Sequence, residues 1–62
     1  MGAEAILSRI SVGTVVAEIA IKGGIFLLGA KWAGFDAGNA VFVVPAAGLV
    51  FIPISEIVAV VL

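Results

Sequence analysis

Two charged residues in this chain are spaced to act on each other. Glu18 and Lys22 stand at i, i+4 with the acid first, the favourable order for an ion pair on a helix. Their setting, VVAEIAIKGGIF, is apolar, and there ionised groups must pair or reach water. One reading is an intrahelical pair reaching a headgroup layer. The favoured one is a pair that also bridges to a neighbouring copy and fixes register, since buried polar pairs specify arrangement better than they add stability. A second cluster lies in GAKWAGFDAGNA, with Lys31, Trp32, Gly34, Phe35, Asp36 and Gly38. Lys31 and Trp32 suit a membrane interface. Gly34 and Gly38, with Ala33 and Ala37, would let loops from many copies crowd around one axis, Lys31 pairing with Asp36 between copies.

Other chemistry finds few residues to carry it. The chain has no histidine and no cysteine, so the commonest general base, the thiolate nucleophile and the disulfide are all missing. Four scattered acids supply no credible catalytic group. The reading is therefore no enzyme, no metal and no cofactor. A net charge of −1 makes no basic field for nucleic acid, so contact with DNA would be indirect.

The elements that position these residues must be built from a very apolar chain. Of 62 residues, 65% are hydrophobic and 11% charged, against roughly a quarter charged in ordinary soluble domains. Mean hydropathy is +1.45. A small domain buries only about 60% of its unfolded surface, so apolar side chains must face outward and be covered by lipid or by further copies. The expected fold is all-α: a two-helix antiparallel hydrophobic hairpin with helix 3–32, loop 33–39 and helix 40–62, forming one unit over 1–62. Ala33-Gly34 and Asp36-Ala37-Gly38-Asn39 supply the break, and Asn39 is a suitable helix N-cap. The helices would be about 45 Å and 35 Å long, the second enough to cross a hydrocarbon core. Pro45 and Pro53 should kink that second helix. Along the first, Glu4, Ser8, Ser11, Val15, Glu18, Lys22, Ile25 and Gly29 trace a narrow polar seam on an otherwise apolar surface. A strand reading of Val41–Val44, Leu49–Ile54 and Ile57–Leu62 has the right residue types. It is set aside because none of these runs alternates, and because prolines sit awkwardly in paired strands.

Two apolar helices joined by a tight loop with a basic residue and an aromatic near its start, GAKWAGFDAGN, resemble the conjugative pilins of type IV secretion systems. The small two-helix pilins of archaeal DNA-import machines, the Ced and Ted systems, are the nearer likeness. That resemblance implies a helical homopolymer of identical subunits with the loop facing a lumen, Lys31 matching the family's loop cation. Membrane lipid would lie between subunits and single-stranded DNA would pass through as cargo. It also implies a precursor pool in the cell membrane and an extracellular filament on the cell surface. Asp36 departs from the pattern by cancelling the loop charge. The alternatives are a two-span accessory subunit of a membrane complex and a membrane-hairpin capsid protein of a spindle-shaped archaeal virus. At the start of the chain, Glu4 opposes a signal peptide and Ile6 opposes myristoylation, so the chain is read as mature or nearly so.

Overall fold

The computed structural model describes residues 2–62. A short helix α1 (Ala3–Leu7) leads into strands β1 (Val15–Ile21), β2 (Ile25–Asp36), β3 (Asn39–Val44) and β4 (Gly48–Pro53). A 3₁₀ turn (Ile54–Glu56) and strand β5 (Ile57–Val61) complete the chain. The strands form one antiparallel sheet in the order β4-β3-β2-β1-β5.

This overturns the helical hairpin. Residues 3–32 hold one five-residue helix and then strand, and 40–62 hold strands and a 3₁₀ turn. No helix among the described residues is long and apolar enough to cross a membrane, so neither a transmembrane helix nor a helical filament built from such hairpins stands. Segment 33–39 is not a loop between helices. Asp36 pairs with Asn39, and only Ala37 and Gly38 lie between the paired ends of β2 and β3. The prolines kink no helix. Pro45 follows Val44 in a turn closed by the Ala47 N–H on the Val44 carbonyl at 3.1 Å, the position where a fixed φ favours a type I turn. Pro53 ends edge strand β4, where a missing N–H is tolerated.

Each hairpin has chemistry that the sequence displays. Lys22-Gly23-Gly24 joins Ile21 to Ile25, with both glycines at positive φ. Ala37 (φ 48) and Gly38 (φ 83) make the two-residue link from β2 to β3, both left-handed as a type I′ turn requires. The β-branched and aromatic runs between these turns favour extended backbone.

The sheet is curled. The link from β4 to β5 joins opposite edges, yet Pro53 and Ile57 are only four residues apart. Four Cα steps reach at most about 14 Å, whereas the outer strands of a flat five-stranded sheet lie about 19 Å apart. The extents, 28 × 26 × 22 Å, fit a rolled sheet rather than a slab. Register shifts supply the bend, one in β2 between Trp32 and Gly34 and one in the β1–β5 pair, where Ala20 and Ile21 face Ala59 and Ile57 and Val58 of β5 is the extra residue. The Ile54 N–H bonds the Gly38 carbonyl at 3.2 Å and ties the closing turn to the β2–β3 hairpin.

Inside the curl, cross-strand rows make the core. Trp32 faces Phe42 and Phe42 faces Val50, while Ile19 lies between Leu27 and Val60. Leu7, Val16, Ile19 and Phe42 are fully buried, and Trp32 is 2% exposed. Trp32 meets Phe35 edge-on at 4.9 Å and Phe42 at 5.2 Å. Such aromatic pairs add roughly 0.5–1.5 kcal/mol each beyond their burial.

Candidate assembly surface

The surface left after folding is the unusual feature. Its area, 3664 Å², is close to the roughly 3,700 Å² expected of a folded chain of this mass, so the fold is as compact as an ordinary monomer. Even so, among the described residues thirteen large apolar side chains stay exposed against eleven apolar residues buried. Side chains on the outward rows explain this. One row crosses four strands as Val15, Lys31, Val43 and Leu49. Another runs Leu28, Glu18, Val61 across β2, β1 and β5, and a third runs Phe26, Ala20, Ala59. A soluble sheet carries polar residues on its wet face; here that face is mostly aliphatic and aromatic.

The two sheet edges have the same character. β4 reads GLVFIP and β5 reads IVAVV, without a charged residue in either. Leu49 (61%), Phe51 (51%) and Val58 (64%) are all exposed there. Proteins that keep edges apart place lysines, inward charges or strong bulges on them. β4 has only Pro53 at its end, while β5 has the register shift at its start and α1 packed against it.

Beside β5 lies a shallow cleft of about 240 Å³ lined by Ala5, Ile6, Arg9, Ile10 and Leu62. It exists because α1 packs on β5, buries Ala3 and Leu7, and turns Ile6 outward, 38% exposed.

The residues singled out in the sequence are dispersed by this fold. Glu18 and Lys22 no longer share a helical face, because four residues of strand span about 13 Å. Glu18 sits in β1 between Leu28 and Val61, half-buried. Lys22 lies in the β1–β2 turn, where its backbone N–H bonds the Glu56 carbonyl at 2.8 Å. Lys31 is exposed on the outer face, whereas Trp32 is a core residue. Gly34 follows the β2 register shift at φ 108. Phe35, 43% exposed, covers Trp32 at the mouth of the core. Asp36 and Gly38 belong to the hairpin end. The lumen-facing loop thus dissolves into a strand, a core tryptophan and a tight turn. Leu49, Phe51, Val58, Val61 and the cleft residues were not singled out. Their signal was the missing alternation itself, which marks a sheet apolar on both faces. Among the described residues no group of His, Cys, Asp and Glu could hold a metal ion.

Comparison with family models, curated proteins and solved structures finds no match. The pilin resemblance rested on two long helices and the loop between them, and this fold has neither.

Proposed function

We propose that the protein is a structural subunit that assembles with copies of itself, the β4 edge of one copy adding to the β5 edge of the next. The observation that carries this reading is a pair of unpaired, charge-free, apolar edges at opposite ends of one sheet. A twofold contact of β4 on β4 would leave both β5 edges open. A head-to-tail contact satisfies both edges with a single kind of interface. Head-to-tail contacts close into rings when the rotation per copy divides a full turn, and otherwise run on as filaments. The exposed area of 3664 Å² has room for two standard patches of about 800 Å² each. Self-association thus keeps the expectation of a homopolymer, with strand edges in place of packed helices.

Light scattering on the purified chain across a concentration series tests the reading. A defined oligomer well above 6.2 kDa is expected. Phe51→Lys on β4 or Val58→Lys on β5 should shift it to monomer with the circular dichroism spectrum unchanged. A wild-type chain that stays monomeric at about 100 µM, weaker than typical non-covalent assembly, would refute it.

A further inference from the structure

We infer that the next copy adds antiparallel to β5 and seats its Leu49 in the cleft formed by Ala5, Ile6, Arg9, Ile10 and Leu62. This rests on the edge-to-edge assembly proposed above and adds strand direction and an anchoring side chain.

Strand direction decides what meets the cleft. The cleft includes Leu62, immediately beyond the end of β5. In an antiparallel addition that end of β5 lies against the beginning of the incoming β4, which starts Gly48-Leu49. Leu49 is 61% exposed and needs cover, and the cleft is apolar in four of its five lining residues. A leucine matches that lining in chemistry, and the cleft has room for it. The Arg9 stem adds apolar surface while its head reaches water at the rim.

The other end of the strand pair carries the charges. Lys22 is held at the start of β5 by its N–H bond to the Glu56 carbonyl. Asp36 pairs with Asn39, and Asn39 pairs with Pro53, which places Asp36 near the end of β4. Antiparallel addition puts the corner of Lys22 and Glu56 of one copy and Asp36 of the next at the same end of the strand pair. Lys22 and Asp36 nonetheless lie about four strand spacings apart and Glu56 stands between them, so these charges do not choose the direction. Parallel addition would leave Leu49 without the cleft. Every strand pair in the sheet is antiparallel, and that ladder is the stronger one per residue.

The chain has no cysteine, so introduced thiols report without background. Leu49→Cys and Leu62→Cys would be made as separate chains, mixed in equal amounts, oxidised, and weighed by mass spectrometry. A disulfide-linked heterodimer is expected from this mixture and not from Pro53→Cys mixed with Leu62→Cys. Separately, Ile6→Lys in the cleft should weaken association at least tenfold and leave the monomer's urea midpoint in place. Cross-linking of the Pro53 and Leu62 pair, or of Leu49→Cys with itself, overturns the inference. So does an oligomer that forms neither adduct or that ignores Ile6→Lys, and in each of these cases assembly itself stands. A chain that is monomeric throughout overturns both.

Discussion

Trp32 stands directly opposite Phe42 across the β2–β3 ladder, with ring centroids 5.2 Å apart and both side chains all but excluded from water. The pair holds the middle of the sheet, and Phe35 closes one side of it edge-on at 4.9 Å. Trp32→Ala should cost about 3–5 kcal/mol, against a total of roughly 3–9 kcal/mol for a chain of this length. A largely unfolded chain in dilute buffer, read by circular dichroism, is the expected result. Trp32 is the sole tryptophan, so wild-type emission should be blue-shifted and move to the red on unfolding.

The β2–β3 turn carries a correctable fault. Ala37 sits at φ 48 in a position that favours asparagine or glycine. An L-residue with a Cβ pays about 1–2 kcal/mol there. Ala37→Asn should therefore stabilise the fold by up to about 1 kcal/mol, a rise of several degrees in Tm for a domain this small. Ala37→Val, β-branched, should lower it. Thermal melts of both variants at fixed concentration decide the matter.

Gly34 makes a different demand. A Cβ there would meet only Val12 Cγ2 at 3.8 Å, an ordinary contact, but φ 108 is closed to other residues. Gly34→Ala should lose about 1–3 kcal/mol through the backbone alone. Adding Val12→Ala should not restore it. Restoration in urea titrations would show that crowding, not conformation, sets the requirement.

Glu18 separates two apolar neighbours, Leu28 and Val61, on the outer face. As a buried helical partner of Lys22, its neutralisation would have cost a few kcal/mol. On a half-exposed strand face Glu18→Gln should change stability by less than about 0.5 kcal/mol. Glu18→Val should instead join the flanking apolar rows, raise association and lower solubility, as sedimentation at graded concentration would reveal.

Some of this was legible in the residues themselves. A chain this short and this apolar must leave apolar side chains on its surface, whatever the fold, because a small body has too little interior. The expected break at 33–39 contains the observed reversal, since Asp36-Ala37-Gly38-Asn39 is turn chemistry in either context. Val41–Val44, Leu49–Ile54 and Ile57–Leu62, set aside as strands, coincide closely with β3, β4 and β5. What hid them was the outer face. Val43, Leu49, Phe51 and Val61 point to solvent yet are apolar, so the period of two that marks a half-wet strand was erased. Without that alternation a continuous apolar run reads equally well as a buried helix. The partnership of distant segments was then decided by tertiary structure alone. Pairing β1 with both β2 and β5, and rolling the sheet until three residues could link its edges, depends on long-range backbone hydrogen bonds that no local pattern encodes. That closure moved Trp32 from an expected lumen into the core and left β4 and β5 as the terminal strands of the sheet.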